Sequence, residues 1–255
     1  MRIASWNVNS LRVRLEHVVD WLEQAQPDIL GLQETKLVDD NFPIGEIEAL
    51  GYRCAFSGQP TYNGVAVLSR LPIEDVSTQL EGFEDPQRRV LGAKIGPIRL
   101  LNLYVPNGQS VDSEKYLYKL DWLEALRAQL HREREAHEYI AIVGDFNIAP
   151  EDGDVHDPER WEGKVLCSPK ERAALSEILA LGFEDTYRLF DQPSESFSWW
   201  DYRAAAFRRN MGLRIDLVLA SSALSRRCVG ATIDKEPRKL ERPSDHTPVY
   251  ADFEL

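Results

Sequence analysis

The sequence predicts an α/β fold from three local patterns. The run Tyr139–Val143 is short, apolar and rich in β-branched residues, as in a buried strand, and it stops at Gly144. Near the N-terminus, apolar residues at helical spacing lie between two strand-like runs. Further along the chain, pairs of apolar runs flank turn signals such as Gly96-Pro97. Strands and helices therefore succeed one another, as in α/β proteins.

The first predicted unit is a strand, a helix and a second strand. The strands are Arg2–Trp6 and Ile29–Gln33, and the helix is marked by Leu11, Leu15, Val18, Val19 and Leu22. Such a unit favours a parallel crossover, in which both strands end at the same edge of the sheet. Asn7 and Glu34 follow the two strands, so they should be neighbours. Glu34 can equally be a solvated carboxylate that simply follows a strand.

The next four predicted strands form two hairpins, Arg53–Phe56 with Val65–Ser69 and Val90–Ile95 with Ile98–Tyr104. Turns between them are indicated by Tyr62-Asn63-Gly64 and by Gly96-Pro97. Tyr104 ends the last of these strands. A tyrosine in this position is more often half-buried packing than a functional hydroxyl, because tyrosine is intermediate in its preference for burial.

Two longer helices are predicted after the hairpins. Asp112 or Ser113 can cap the first of them, whose apolar face comprises Tyr116, Leu117, Leu120, Leu123, Leu126 and Leu130. The second begins with the capping box Ser168-Pro169-Lys170-Glu171 and ends at Gly182. Two further strands, Leu213–Ala220 and Val249–Phe253, complete the predicted elements.

Two polar residues, Asp145 and Asn147, follow the strand Tyr139–Val143. Residues two apart in an extended segment point to the same face, so a carboxylate and an amide project together from the end of a core strand. Ligands of open α/β sheets bind at the carboxyl ends of strands. The alternative is that both residues only cap a turn, which Asp and Asn favour.

Composition limits the class of protein. The chain has 255 residues, 43% of them hydrophobic, which suffices for one large core or two small domains. No apolar run approaches the roughly 20 residues of a membrane span, and the N-terminus does not resemble a signal peptide. The three cysteines form neither a zinc pattern nor a disulfide framework, so a reducing, cytoplasmic environment is expected.

The net charge of −12 argues, taken globally, against a nucleic-acid binder. The charges are unevenly placed, however, and an acidic protein can still present a local basic face. The segment Ser196–Arg203 is the most aromatic of the chain, and Arg208 and Arg209 follow it closely. Aromatic rings interleaved with arginines suit base stacking and phosphate contacts. A core strand that buries Phe197 and Trp199 would produce the same pattern.

An acidic residue, Asp216, lies inside the apolar run Leu213–Ala220. Because burial of an unpaired charge is costly, this carboxylate needs a partner. His246 is one of only five histidines and follows Asp245 directly. It is a candidate for an Asp–His pair, although a lone histidine is usually structural.

The polar residues described so far lie at or near the ends of predicted strands, so they can converge on one edge of a sheet core. They are Asn7, Glu34, Asp145, Asn147, Asp216, Asp245 and His246. Carboxylates, amides and one histidine suit a hard divalent cation such as Mg²⁺ and phosphoryl chemistry.

Six segments, in this order along the chain, resemble the exonuclease III family of apurinic/apyrimidinic endonucleases, within the endonuclease/exonuclease/phosphatase superfamily. They are Ser5–Asn9, Leu32–Lys36, Asn102–Gly108, Gly144–Asn147, Leu213–Asp216 and Ser244–Pro248. Any one of them is a weak signal, but six in order across nearly the whole chain are specific. The segments Trp199–Arg203 and Gly212–Leu217 resemble the bacterial branch of the family more than other phosphodiesterases.

The resemblance implies a four-layer α/β sandwich, with two mixed sheets packed face to face between outer helices, as one domain over residues 1–255. It implies bound Mg²⁺, with Mn²⁺ as a substitute, where the sheet ends meet. The implied metal set is Glu34, Asn7, Asp145, Asn147, Asp245 and His246. Within this set Glu34 is the main ligand, and Asp245 completes the shell or forms a second position.

The resemblance also implies catalytic roles. Asp216 would orient and polarise His246, which would contact the scissile phosphate. Asp145 would activate the attacking water or assist the leaving group. Asn147 would hold the phosphate, and Tyr104 would lie against it.

For DNA binding, the resemblance implies Trp199, Arg203, Asn107 and Arg208, with Trp199 and Arg203 in the abasic pocket and DNA-contact elements. The implied activity is hydrolysis 5′ to abasic sites, together with 3′-to-5′ exonuclease and 3′-end trimming. The expected partner is double-stranded DNA with abasic sites or 3′ ends. A membrane is not expected as a partner, and a monomer is the default oligomeric state.

Two other functions remain open on the same fold. One is a phosphodiesterase for lipid or inositol phosphates, against which the aromatic and arginine-rich stretch argues. The other is a non-catalytic nucleic-acid or protein-binding regulator. Such a regulator would be expected to lack acidic positions that this chain retains, among them Glu34, Asp145 and Asp216.

Overall fold

Two six-stranded β-sheets form the centre of the structure, a computed structural model that describes residues 1–255. Strands β1–β12 are, in chain order, Arg2–Asn7, Ile29–Gln33, Arg53–Ser57, Val65–Ser69, Glu74–Ser77, Val90–Ile95, Ile98–Tyr104, Ile140–Asp145, Phe183–Asp185, Asp216–Ser221, Cys228–Ile233 and Val249–Phe253. Helices α1–α6 are Leu11–Ala25, Ile44–Glu48, Glu114–Ala136, Pro158–Trp161, Pro169–Ala180 and Ser222–Ser225. Short 3₁₀ turns cover Asp39–Asn41, Asp152–Asp154, Thr186–Leu189, Arg203–Ala205 and Glu236–Lys239.

Both sheets are mixed. The first has the strand order β11-β12-β1-β2-β4-β3, and the second has the order β5-β6-β7-β8-β10-β9. β1 and β2 pair in parallel, which confirms the predicted crossover through α1. β7 and β8 are the parallel pair of the second sheet and are connected through α3. Each parallel pair brings two strand carboxyl ends to one edge of its sheet.

The sheets pack face to face with helices on their outer sides, which confirms the four-layer sandwich. An apolar cluster lies between the sheets and includes Val67 of the first and Val143 of the second. A second cluster packs α1 on the outer face of the first sheet through Trp21 and Leu22. A third packs α3 and α5 on the outer face of the second sheet and includes Trp122 of α3 and Leu175 of α5. Central strands are buried on both faces, which is why they are apolar throughout.

Helix starts follow the predicted capping residues. Ser113, one of the two candidates, caps α3 by accepting a hydrogen bond from the backbone N–H of Tyr116. Ser168 and Glu171 form the predicted capping box at the start of α5. The prediction that Leu117 lies on the buried face of α3 is wrong: it is 59% exposed, one position beside the stripe that contains Tyr116. The helices include none with the length and apolar character needed to cross a bilayer.

Edge strands are where the sequence predicts least. The pattern of apolar residues does not predict β5, β9 or β11, and each lies at an edge of its sheet. Their residues are mostly exposed or half-buried, so they lack the apolar run that marks a core strand. The strand predicted from Leu213 begins only at Asp216, because Leu213 instead makes isolated bridges to Val155 and Trp199.

The two sheets approach closely beside Gly31 of β2. A Cβ atom there would lie 2.7 Å from Cγ2 of Val143 and 2.8 Å from Oδ1 of Asn102. Asn102 is itself held by a hydrogen bond from Nε2 of Gln33, at 2.6 Å, across the sheet interface. The Gln33–Asn102 hydrogen bond joins the sheets, and the absence of a side chain at Gly31 lets them lie close together. Both features lie below the carboxyl ends of β1 and β2.

We predict that Gly31→Ala destabilises the fold by about 1–3 kcal/mol, because the added methyl group overpacks the sheet interface. Urea denaturation monitored by circular dichroism measures this loss. The matched control is Gly230→Ala in β11, where a Cβ meets nothing within 4 Å. Equal stability of the two variants would contradict the close approach of the sheets.

Candidate active site

Strand pairing brings three predicted site residues to one level of the second sheet. Tyr104 is in register with Asp145 across the parallel β7–β8 pair, and Asp145 is in register with Asp216 across β8–β10. From the first sheet, Asn7 ends β1 and Glu34 follows β2. The Nδ2 atom of Asn7 donates to Oε1 of Glu34 and to Oδ2 of Asp145, both at 2.9 Å. The prediction that Asn7 and Glu34 are neighbours is confirmed, and Asn7 connects the ends of the two sheets.

Asp216 and His246 form the predicted Asp–His pair. Nδ1 of His246 donates to Oδ2 of Asp216 at 2.8 Å, and Nε2 of His246 lies 3.6 Å from Oδ2 of Asp145. Burial alone would lower the pKa of His246, but the negative charges of Asp216 and Asp145 outweigh it and raise the pKa to about 10. His246 is therefore an imidazolium at neutral pH, with both ring nitrogens protonated.

Asp145 forms a cluster with Glu34, Asp216 and His246, and it is almost fully buried. Burial raises its pKa to about 7, and the charge of His246 opposes that rise. The backbone N–H of Asn147 donates to Oδ1 of Asp145 at 2.9 Å. This bond is an Asx turn, so the turn-capping interpretation is confirmed for Asp145.

Glu34 lies at the more open side of the cluster. Its Oε1 atom accepts from Asn7, and its Oε2 atom lies 2.9 Å from Nζ of Lys36. The potential ligand atoms of Glu34, Asp145 and His246 lie within 4.8 Å of one another. A buried Oδ1 atom of Asp216 has no hydrogen-bond partner in the protein. The cluster therefore carries negative charge that a divalent cation would balance, and its oxygen donors fit such an ion.

The remaining residues of the predicted metal set form hydrogen bonds within the protein. Asn7 presents its donor nitrogen to the carboxylates, while its Oδ1 atom accepts from the backbone N–H of Asn9. Asp245 accepts from Asn9 Nδ2 at 2.9 Å and from Trp199 Nε1 at 3.0 Å. His246, while protonated, has no lone pair to offer a metal. Glu34 and Asp145 also accept hydrogen bonds, but their oxygens lie within 4.8 Å of one another, so these two carboxylates are the members that can share a cation.

Asn147 and Asn107 form a pair beside Asp145. Nδ2 of Asn107 donates to Oδ1 of Asn147 at 2.9 Å. Nδ2 of Asn147 donates to the Val105 carbonyl at 3.0 Å and to Oδ2 of Asp145 at 3.2 Å. Every polar atom of the Asn147 side chain therefore has a protein partner, whereas Asn107 is exposed and retains a free N–H. Of the two, Asn107 is the one that faces solvent.

Tyr104 borders the cluster on the side of Asn107. Burial raises the pKa of its hydroxyl well above the usual value, and the charges of Glu34 and Asp145 add to the rise. The hydroxyl therefore remains a hydrogen-bond donor over the physiological range. The guanidinium of Arg89 packs on the Tyr104 ring, 4.7 Å from its centroid, and Nη1 of Arg89 donates to the Tyr104 carbonyl at 3.2 Å. These contacts fix the ring at the end of β7.

A cavity of about 320 Å³ lies beside Trp199 and is also lined by Trp161, Arg160, Lys164 and Arg203. Trp199 connects this cavity to the cluster through its hydrogen bond to Asp245. Arg203 is 88% exposed in its side chain and pairs with Asp201 at 2.7 Å. The alternative, a core strand that buries Phe197 and Trp199, is wrong for Trp199. Phe197 and Trp200 are buried and Trp199 is half-buried, because this segment makes only isolated bridges rather than a regular strand.

A second, more polar cavity of about 680 Å³ is lined by Tyr104 and Asn107, together with Tyr62, Arg89 and Lys115. It connects to the cluster through the Asn107–Asn147 hydrogen bond. Arg208, the last of the predicted DNA-binding residues, is exposed and lines neither cavity. Cationic side chains thus border both cavities, although the chain as a whole carries a net charge of −12.

Sequence reasoning missed Lys119, whose Nζ atom donates to the Asn147 carbonyl at 2.7 Å. A signal was present: Lys119 lies three residues after Tyr116 and four before Leu123, on the apolar stripe of α3. Sequence reasoning also missed Asn9 and Lys36, which lie beside the cluster in the loops after β1 and β2. Both residues end segments that carry the family resemblance, Ser5–Asn9 and Leu32–Lys36, but the resemblance gave neither of them a role.

Known proteins share both the sequence pattern and the fold. The profile of the Endonuclease/Exonuclease/phosphatase family matches residues 4–246. Exodeoxyribonuclease III of Haemophilus influenzae is 37% identical over an alignment of 269 positions, which includes 99% of this chain and 100% of that protein. The 3′ phosphatase NExo from Neisseria, solved with a product DNA hairpin, has a TM-score of 0.98 and 44% identity over 100% of both chains. An AP endonuclease from Archaeoglobus fulgidus has a TM-score of 0.96 and 41% identity, again over 100% of both chains.

We predict that Asp216→Asn lowers the pKa of His246 from about 10 by roughly 1–3 pH units, because the variant removes an adjacent negative charge. The sign follows from the raised value: wild-type His246 keeps its charge at pH 8, whereas the variant loses it as pH rises through the lowered pKa. An NMR titration of the ring protons in metal-free protein measures the change. The exposed ring of His131 is the internal reference, and an unchanged His246 titration would contradict the assigned pair.

Proposed function

The chain belongs to the endonuclease/exonuclease/phosphatase family and is a DNA repair nuclease, and we propose that it hydrolyses DNA 5′ to abasic sites and trims 3′ ends as a 3′-to-5′ exonuclease and phosphatase. One observation carries the proposal. Strand register places Tyr104, Asp145 and Asp216 side by side, and His246 lies against both carboxylates. The arrangement places Asp145, which we assign as general base and metal ligand, against the fixed positive charge of His246.

We assign the metal site to Glu34 and Asp145, with Mg²⁺ as the resident ion and Mn²⁺ as a substitute. Carboxylate oxygens are the donors that these ions prefer. When bound, the ion neutralises charge on the phosphate and lowers the barrier to attack by water. Asn7 holds the two carboxylates together through its two hydrogen bonds of 2.9 Å.

The protein groups divide the chemistry between them. Asp145 accepts a proton from the attacking water, and the pKa of about 7 that burial gives it suits a general base at neutral pH. The oxygen of that water bonds to phosphorus as the P–O3′ bond breaks, and the 3′ oxygen takes up a proton from solvent. The imidazolium of His246, oriented by Asp216, donates to a non-bridging phosphate oxygen where negative charge accumulates. Tyr104 and Asn107 present further donors to the same phosphate.

The cavity beside Trp199 supports selectivity for abasic sites. An abasic nucleotide has no base to unstack, so its extrusion from the duplex costs less than that of a paired nucleotide. Trp199 and Trp161 offer apolar surface for the extruded sugar, and Arg203 lines the same cavity. The exposed guanidinium of Arg208, outside the cavity, is free to contact a DNA phosphate. The resemblance to an AP endonuclease supports this substrate, and the resemblance to a 3′ phosphatase solved with a product DNA hairpin supports action at 3′ ends.

The setting of the reaction is proposed with the activity. The chain acts as one domain over residues 1–255, as a monomer, in the cytoplasm, on double-stranded DNA. The apolar cluster shared by both sheets supports a single domain, because neither sheet has a separate core on its inner face. The three cysteines are free thiols, in keeping with a reducing compartment.

We predict a Mg²⁺-dependent nick 5′ to an abasic-site analogue in a labelled duplex, and Mg²⁺-dependent shortening of a duplex with a recessed 3′ end. EDTA should abolish both reactions. Asp145→Asn should lower turnover on both substrates by at least about 100-fold, because it removes the base and a metal ligand.

The control variant is Asp191→Asn, which alters an exposed carboxylate and should leave both rates unchanged. Near-normal turnover in Asp145→Asn would contradict the assigned roles. Folded protein that binds the duplex and cleaves neither substrate with Mg²⁺ or Mn²⁺ would instead favour the non-catalytic regulator.

A further inference from the structure

A lysine is completely buried behind the active-site loop. The side chain of Lys119, in α3, has 0% exposure, as does that of its ion-pair partner Glu171 in α5. The ammonium group has three N–H donors, and each has an acceptor. Nζ donates to the Asn147 carbonyl at 2.7 Å, to the Asn107 carbonyl at 3.2 Å and to the Glu171 carboxylate.

These acceptors include the backbones of both asparagines that border the catalytic carboxylate. Asn147 has φ of +49°, in the left-handed region, so its conformation depends on its surroundings. Its N–H is held by Asp145 and its carbonyl by Lys119. The Asn107 side chain in turn bonds the Asn147 side chain at 2.9 Å. Lys119 therefore connects two loops that come from different strands.

Glu171 extends the same support. Its carboxylate accepts from the backbone N–H of Leu166 at 3.0 Å and of Ser168 at 3.1 Å, and from the Ser168 hydroxyl. The hydroxyl of Tyr116 lies 2.5 Å from that of Ser168. These bonds fix the segment that leads into α5 to α3. The Lys119–Glu171 ion pair joins the same two helices.

We infer that Lys119 is a positioning residue of the hydrolytic site, acting through the Asn107–Asn147 pair. The inference rests on the proposed function. A buried ion pair adds little net stability over apolar residues of the same volume, so stability alone does not account for the ammonium. A donor that reaches two carbonyls at once joins the backbones of both loops directly. Lys119 touches no part of the substrate surface, since its side chain has no exposed atoms.

The same helix provides a comparison. Arg99 and Glu133 form another buried pair, with Nη2–Oε1 at 2.9 Å, and Glu133 lies near the end of α3. The other contacts of Arg99 are the Asp75 carbonyl and the Ser77 hydroxyl, on β5 at the edge of the second sheet. This pair joins α3 to the sheet and contacts none of the site residues. Removal of the Arg99–Glu133 pair therefore shows what the loss of a buried ion pair does when no contact to the site is lost.

The test compares Lys119→Met/Glu171→Gln with Arg99→Met/Glu133→Gln. Both changes keep the protein free of an unpaired buried charge. The single amide oxygen introduced by Glu171→Gln would still accept from either Leu166 or Ser168, which bond different carboxylate oxygens in the wild type. On the abasic duplex with Mg²⁺, the first variant should lower kcat by about 10- to 100-fold with KM within about threefold of wild type, because misplacement of donors weakens the transition state more than DNA binding. The second variant should leave kcat within about threefold of wild type.

A second readout does not require turnover. The side-chain amide signals of Asn107 and Asn147 in a ¹H–¹⁵N spectrum should shift or broaden in the first variant and stay in place in the second. Unmoved signals together with unchanged kcat would overturn the inference. If wild-type protein cleaves neither substrate, the proposed function fails, while the amide signals still test the positioning.

Lys119→Gln/Glu171→Gln covers the case in which the methionine variant does not fold. Its shorter amide reaches at most one of the two carbonyls, so kcat should still fall by at least about tenfold. Wild-type kcat in this variant would also overturn the inference.

Discussion

Two buried carboxylates on adjacent strands, Asp145 and Asp216, define the structure around the site. Like charges directly opposite each other in an antiparallel pair are destabilising, and both residues are almost fully buried. The imidazolium of His246 lies against both, and the pKa of His246 rises to about 10 as a result. Even with Lys36 beside Glu34, two positive charges do not balance the three carboxylates Asp145, Asp216 and Glu34. The fold therefore leaves a negative cluster that a divalent cation completes, and the proposed chemistry follows from that imbalance.

The rest of the molecule keeps this cluster in one geometry. Parallel pairs in both sheets bring four strand carboxyl ends together, and Asn7 spans the gap between the sheets. Behind the cluster, Lys119 holds the loop after β8, and Arg89 holds the ring at the end of β7. Charged and amide groups with fixed orientation need not reorganise as charge builds on the phosphate. The support is buried, whereas the groups expected to contact DNA, such as Asn107 and Arg208, are exposed.

Much of this arrangement was predictable because buried strands have a simple signature. Ile29–Gln33 and Val249–Phe253 are largely apolar runs, and the structure has them with the predicted bounds. Asp216 stood out as a carboxylate within such a run, and its need for a partner pointed to a histidine. The edge strands β5, β9 and β11 carried no such signal, because solvent-facing residues are free to be polar.

Other features depend on contacts that a local pattern does not contain. The role of Lys119 depends on residues far along the chain, and a lysine on a helix is usually solvated. The core-strand alternative would bury Trp199 and expose Trp200, whereas Trp200 is buried and Trp199 is half-buried. The alternation of buried and exposed side chains applies only to a regular strand.

The central claim is that Glu34 and Asp145 hold the cation at the junction of the two sheets. Crystals soaked in Mn²⁺ test it directly, through anomalous difference density collected at the manganese edge. The account predicts a peak within about 2.0–2.3 Å of carboxylate oxygens of both residues, with His246 still bonded to Asp216 and outside the coordination shell. A peak elsewhere, or an ion bound through Nε2 of His246 without Asp145, would contradict the assignment of charges on which the mechanism rests.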